Sequence, residues 1–251
     1  METKENSPGQ VFGAKAGVLA QHVHARLEAL GDREKARFLQ RFFKTGPGEY
    51  GEGDVFIGIR VPELRKLAKE YQDLSLEETI KLLQSPIHEA RLLALLVLIR
   101  AYGRGDAATQ RRIHEMYLEN SRFVNGWDLV DVSAEHIVGR HLRHRDKAPL
   151  HALAASSLLW ERRISIMSTF HYIKQGEFNE TIHIAGLLVA DPEDLIHKAV
   201  GWMLREIGKR DLAIEEAFLK AHYKGMPRTM LRYAIEKFSE VLRQRYLKGG
   251  I

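Results

Sequence analysis

Cysteine is absent from the 251 residues, which excludes disulfides, thiolate-ligated zinc, iron–sulfur clusters and a cysteine nucleophile. Long apolar runs are absent as well. The longest, Leu92 to Ile99, falls far short of the roughly 20 residues that cross a bilayer. METKENSPGQ at the start lacks the hydrophobic segment of a signal peptide, so the expectation is a cytoplasmic protein without membrane contact. Charge of one sign is only mildly in excess: 38 Lys and Arg against 33 Asp and Glu leave +5, with a pI near 9.3. That balance permits a nucleic-acid partner without requiring one.

Several catalytic signatures are missing too. The 12 histidines include no HExxH pair, and HLRHRD at 141 to 146 reads as a basic, surface-like helix end rather than a metal site. GPGEYGEGD lacks the GK[ST] of a phosphate-binding loop and the strand–GxGxxG–helix setting of a dinucleotide site. No GxSxG occurs. The residues demand neither a metal nor a cofactor.

What is present is helix. From about Gly17, segments of ten to twenty residues carry apolar side chains at three- and four-residue spacing, broken by QSPI at 84 to 87, GRGD at 103 to 106 and ADPED at 190 to 194. Asp191 before Pro192, with Glu193 and Asp194 behind, predicts a helix start there. No segment reads as a strand. The first 15 residues, polar and without period, are expected to form a loose tail, and 16–251 a single domain. One irregular stretch, KTGPGEYGEGDVFIGIRVPELR at 44 to 65, leads into a helix beginning near Val61.

Stepping by 36 from Glu89 gives Asn125, Glu161, His197 and Tyr233, and the runs ARLLALLVLI, GWDLVDVSAE, RRISIMSTFH, KAVGWMLREI and AIEKFSEVLR align. A period near 36 with two helices per unit predicts an all-α solenoid of HEAT-like or armadillo-like repeats. In this register Trp127, Arg163 and Arg91 share one repeat position. On a helix advancing about 100° per residue, Asp131 lies about 40° from Trp127, while Asp128 lies about 100° away. Trp202, taken back two periods, falls about 60° to the other side. These side chains are expected on one face, the concave one of a curved array.

Each has a structural reading beside the functional one. Trp202 reads as core, because its repeat equivalents Ala94, Val130, Ile166 and Phe238 are mostly large and apolar. Asp128 reads as a first-turn acid answering free N–H groups and the helix dipole, with an expected stabilisation of about 0.5 kcal/mol. Asp131 lies a full turn in, among the equivalents Leu95, Met167, Met203 and Ser239, where a carboxylate must be paired or functional. Arg163 is its candidate partner, and spacing leaves a structural ion pair and a catalytic role both open. Glycoside hydrolysis ordinarily needs two carboxylates, one to protonate the leaving oxygen. A leaving base that is already cationic departs neutral, so one carboxylate suffices.

WDLVD (127 to 131), WERR (160 to 163), GWMLRE (201 to 206), MPRTMLRYAIEKF (226 to 238) and FFKTGPGEYGEGDVFIGIRVPELR (42 to 65) resemble, in order, the successive motifs of the AlkD family of bacterial DNA alkylation-repair glycosylases. The resemblance runs from about residue 20 to 248. It implies a helical array, a monomer, that holds duplex DNA in its concave face and removes cationic bases such as 3-methyladenine and 7-methylguanine. On this reading the catalytic aspartate is Asp131, the sugar-contacting tryptophans are Trp127 and Trp202, and Arg163 holds a phosphate. Arg205 and Arg60 match positions that face DNA. The family works without flipping the base into a pocket, which is consistent with motifs that contain no purine-reading site. The rival readings are a protein-binding scaffold and an inactive DNA-binding relative: the first would show no salt-dependent DNA binding, the second would bind and release no base.

Overall fold

The computed structural model describes residues 19–251; the expected tail, residues 1–15, lies outside them. Its helices are short. α1 (Ala20–Leu30), α2 (Arg33–Gln40), α3 (Val61–Glu70) and α4 (Leu76–Leu83) precede the longest, α5 (His88–Arg104), and then α6 (Ala107–Glu119). α7 (Trp127–Ala134) passes through a π-helical turn, Glu135–Gly139, into α8 (Arg140–Leu142). α9 (Ala148–Ala154), α10 (Leu159–Ser168), α11 (Phe170–Ile173), α12 (Asn179–Leu187), α13 (Asp194–Gly208), α14 (Leu212–His222), α15 (Arg228–Ala234) and α16 (Glu240–Lys248) complete the chain. Among the described residues there is no strand; one isolated parallel bridge joins Val55 to Ile87.

Local sequence sets many of the helix starts. Side-chain oxygens of Asp32, Ser75, Asp106, Asp211 and Ser239 accept backbone N–H groups of the first turns of α2, α4, α6, α14 and α16, filling donors that have no helical partner. The expected start at Asp191–Pro192 is corrected. Asp191 instead forms an Asx turn to Glu193 N–H at 2.9 Å and holds Arg162 Nε at 2.6 Å, and α13 begins three residues later at Asp194. The competing ion pair to α10 consumes the cap.

Packing is sequential. α5, α7, α10, α13 and α15 contact one another in that order, backed by α4 and α6 at α5, α9 at α10, and α12 and α14 at α13. This is a helical-repeat array, each unit burying its apolar face on its neighbours. α5 is buried along every residue from His88 to Leu98, because α3, α4, α6 and α7 surround it. Gly201 permits a close approach of α13 to α15, since a Cβ there would lie 2.5 Å from both Met230 O and Tyr233 Cβ on α15.

The uniform period of 36 does not survive. α5, α7, α10 and α13 begin at 88, 127, 159 and 194, intervals of 39, 32 and 35. Counted from helix starts, Asp131 and Arg163 are both fifth residues of adjacent helices, and it is these two that meet. Arg91 drops out of the expected row: it is buried in the side-chain core of α5, bound to Asp54 at 2.7 Å and to Ser85 O at 2.9 Å. His141 is likewise buried, stacked on His114 with ring centroids 4.2 Å apart, while His144 alone stays at the surface. Burial lowers the pKa of both rings, that of His114 to about 4.

Residues 41–60 form a latched loop. The carboxylate of Glu89, only 3% exposed, accepts backbone N–H groups of Ile57, Gly58 and Ile59 at 2.7–3.4 Å. Gly58 has φ +86°, and a Cβ there would sit 2.2 Å from Asp32 O, so only glycine fits. Tyr50 reaches the other way, edge-on to Trp160 at 5.4 Å.

Candidate active site

Asp131 and Arg163 form a bidentate pair across α7 and α10. Arg163 Nε donates to Oδ1 and Nη2 to Oδ2, each at 2.8 Å, and Nη1 donates to Leu195 O on α13. The guanidinium is 5% exposed and the carboxylate 18%. Burial pushes the Asp131 pKa up, the Arg163 charge and hydrogen bonds pull it down, and the nearby Asp128 charge adds to the rise; the balance lies above the usual carboxylate value. One edge of Asp131 faces a cleft of about 550 Å³ between the loop, α7, α10 and α13, lined also by Trp127, Trp202 and Lys198.

Trp127 is the first residue of α7, where the Gly126 backbone turns into the helix. Its indole stacks on Phe43 of the loop at 5.4 Å and 17°, Phe43 meets His88 at 4.8 Å, and His88 stacks on Phe56 at 4.6 Å and 20°. Trp202, part-buried, donates its indole N–H to Glu206 at 3.2 Å and packs near Phe170. The core reading of Trp202 is therefore half right: one side packs on the core, the other lines the cleft.

Under the aromatic stack lies a buried ionic chain. His88 Nδ1 is 3.1 Å from Asp54 and Nε2 is 2.9 Å from Asp128, both contacts inside a site where the imidazole is 3% exposed. Burial alone would lower the His88 pKa, but the hydrogen bonds its ring donates to Asp128 and Asp54 outweigh it and raise it to about 9. For Asp54, burial raises the pKa, yet the His88 bond and the Arg91 charge prevail and leave it lowered. The first-turn reading of Asp128 is corrected accordingly: its carboxylate caps no backbone N–H and is bound to His88.

The structure brings Trp127, Asp131, Arg163 and Trp202 to one cleft. Arg60 lines a second pocket that adjoins it and shares Trp127 and Asp131. Arg205 is not among the lining residues, and its guanidinium is tied to Glu236. All the nitrogens of Arg163 are engaged within the protein, so among the described residues the cations at the cleft without an ion pair are Arg41 and Lys44 of the loop, with Lys198 paired there only to exposed Asp194 at 2.7 Å. The sequence reading missed Phe43, Tyr50, Lys198, Tyr233 and His88. Phe43 and Tyr50 stood in the quoted loop motif, but nothing in their spacing placed Phe43 against Trp127, 84 residues away, or Tyr50 against Trp160.

Comparison with known proteins identifies the family and the fold. The family described as "DNA alkylation repair enzyme" matches residues 23–238. Among solved structures, a predicted DNA alkylation repair enzyme from Enterococcus faecalis is 17% identical, covering 84% of this chain and 97% of its own, with a TM-score of 0.63. AlkD2 from Streptococcus mutans is 20% identical over 88% of this chain and 99% of its own, with a TM-score of 0.52. At these identities the likeness is one of fold. No curated protein matches the sequence. The family match spans nearly the whole helical array, including the loop, Asp131, Arg163 and both cleft tryptophans, and the chain belongs to the DNA alkylation repair enzyme family.

Proposed function

We propose that the chain is a monomeric DNA glycosylase, its array from residue 16 onward acting as one domain. It would hydrolyse the N-glycosidic bond of cationic N-alkylated purines, 3-methyladenine and 7-methylguanine among them, in duplex DNA. The observation that carries this reading is Asp131, a carboxylate fixed in two-point contact by Arg163 at 2.8 Å yet still open to a cleft beside two indoles.

The chemistry follows from the charges. As the bond between C1′ and the base nitrogen stretches, its electron pair moves to the base, which becomes neutral and needs no acid. Positive charge develops on the deoxyribose, and the preorganised Asp131 carboxylate stabilises it. Water then adds to C1′ and loses a proton toward Asp131, whose raised pKa suits it as acceptor. The faces of Trp127 and Trp202 pack the sugar and attract the developing cation. Arg163 acts through Asp131, holding its rotamer and keeping it ionised, while Arg41, Lys44 and Lys198 take the flanking phosphates that its filled fork leaves unbound. Arg60 contributes to DNA binding at the edge of the site.

The test is a short duplex with a single 7-methylguanine, incubated with saturating protein, and release of the base followed with time. Release above the spontaneous rate is expected. Salt-dependent binding without release would reduce the protein to a DNA-binding relative, and absence of both would leave a scaffold.

A further inference from the structure

Phe43 and the Trp127 indole stacked on it both line the cleft, and packed against Phe43 is a side chain that the cleft chemistry does not use. His88, the first residue of α5, has its ring between Phe43 at 4.8 Å and Phe56 at 4.6 Å, is 3% exposed and does not line the cleft of Asp131. Its two nitrogens face carboxylates from two different elements, Asp54 of the loop and Asp128 of α7. A ring that donates to a carboxylate at each nitrogen is an imidazolium. The backbone joins in, since Val55 N–H donates to Pro86 O at 3.1 Å and His88 N–H to Val55 O at 2.9 Å. One residue therefore ties the loop to the first turn of α7.

That first turn lacks the usual support. Gly126 at its N-cap offers no side-chain oxygen, and Asp128 reaches His88 rather than a backbone N–H. A Cβ on Gly126 would crowd this contact, lying 2.9 Å from Asp128 Oδ1 and 3.1 Å from His88 Cε1. The two tryptophans of the cleft are also held differently. Trp202 donates its N–H to Glu206 on its own helix at 3.2 Å. Trp127 makes no such bond among the described residues; it has Phe43 against its face and Asp128 next to it in sequence, and both of these touch His88. Charge reinforces the arrangement. Asp54 also takes Arg91 at 2.7 Å, whereas Asp128 has His88 as its only hydrogen-bond partner among the described residues. Without the imidazolium a part-buried carboxylate beside the indole would lose its partner, a state that a shift of the turn relieves.

We infer that His88 is a positioning residue for base release: through Phe43 and Asp128 it fixes the Trp127 indole at the sugar beside Asp131, without touching DNA itself. The reaction it serves is that of the glycosylase reading, on which this assignment rests. Its effect on rate passes through one indole.

Two measurements test it. The first is a rate cycle on a duplex carrying one 7-methylguanine, with release followed in single turnover at saturating protein. His88→Gln, which fits the space but cannot carry the charge, should slow release about tenfold, part of the hundredfold that a misplaced group can cost. In Trp127→Ala protein the same change should cost less than about twofold, because the indole through which it acts is gone. A side chain that merely supported the fold would slow both backgrounds alike. The second measurement needs no activity. Only three tryptophans occur, so Trp160→Phe with Trp202→Phe leaves Trp127 as the sole indole, and its fluorescence anisotropy decay reports the motion of that ring. His88→Gln in this protein should add a fast component, on the picosecond to nanosecond scale of a freed side chain. An unchanged rate, equal slowing in both backgrounds or an unchanged anisotropy decay would overturn the assignment. Should His88→Gln fail to fold, Asp54→Asn cuts the same chain at its loop end and carries both measurements. If wild type released no base, the glycosylase reading would fall, and the anisotropy decay would still decide whether His88 holds the indole.

Discussion

A buried guanidinium and a part-buried carboxylate that meet at 2.8 Å are each costly without the other. Asp131→Asn keeps the shape and removes the charge. Single-turnover release of 7-methylguanine should fall about 10²–10³-fold, the loss typical of one preorganised electrostatic contact, with duplex binding retained. The same change leaves Arg163 buried and unpaired, so the melting temperature should fall as well, by a stability loss of about 3 kcal/mol; a variant slow in chemistry but unchanged in stability would mean the pair does not hold in solution. His88 makes a different prediction. Its pKa is about 9 in the folded protein against 6.5 unfolded, so its stabilisation is complete below pH 6.5 and is lost as pH rises through 9. The total is on the order of 3 kcal/mol. Denaturant unfolding at a series of pH values should show stability declining over that window, and His88→Gln should remove most of the slope. Glu215 acts in the same direction at lower pH: burial raises its pKa to about 8, and Glu215→Gln separates its share. Asp128→Asn, expected from sequence to cost about 0.5 kcal/mol through the helix dipole, should instead cost about 1–3 kcal/mol, because it weakens a buried bond to a cation.

At the scale of elements, the site depends on one irregular loop held by one helix. Residues 41–60 carry Phe43 to the back of Trp127 and Tyr50 to Trp160, and they are pinned by Glu89 and by the left-handed turn at Gly58. Gly58→Ala should therefore destabilise the protein by about 1–3 kcal/mol and slow base release more than duplex binding. The loss reaches catalysis through Phe43 and Trp127 and binding through Arg41 and Lys44. Affinity lost with the rate unchanged would place the loop in DNA binding alone. The elements themselves were legible: helix type throughout, the helix at Val61 and the breaks near 84–87 and 103–106 follow from apolar spacing and capping residues. The start of α13 was not, because the Asp191 side chain had a stronger partner, Arg162, on a helix 29 residues earlier in sequence.

For the whole molecule, the relevant quantity is cationic surface near the site rather than net charge. Besides Arg163, five cationic residues, Arg41, Lys44, Arg60, Arg65 and Lys198, line the cleft and the pocket that adjoins it. If all five meet phosphates, the logarithm of duplex affinity should fall against the logarithm of salt with a slope of about −4 to −5 and little dependence on sequence. Arg41 and Lys44 changed together to Ala should reduce the slope by about 2. Affinity flat from low to physiological salt would contradict this surface. Arg205, tied to Glu236, is decided by the same measurement: a slope reduced by about 1 in Arg205→Ala would add it to the phosphate contacts, and an unchanged slope would leave its charge with Glu236.

Much of this was determined by sequence alone. Apolar spacing made the chain an array of short helices, and the motifs around Trp127, Asp131, Arg163 and Trp202 named the side chains that share the cleft. Those are local properties, carried by residues within a turn or two of one another, and the motif resemblance supplied the rest. Tertiary structure decided what those residues do to one another. The unequal helix intervals of 39, 32 and 35 brought Asp131 against Arg163, where a uniform 36 had aligned Trp127 with it. They filled the arginine's fork and left Arg41, Lys44 and Lys198 as the other cations facing the cleft. His88, held by the loop's Asp54, drew Asp128 from a first-turn acid into a buried ion chain, and Phe43 stacked on Trp127. Such outcomes rest on contacts between residues 30 to 85 positions apart, whose geometry is set by packing distances of a few ångströms, and no periodicity along a single helix encodes them.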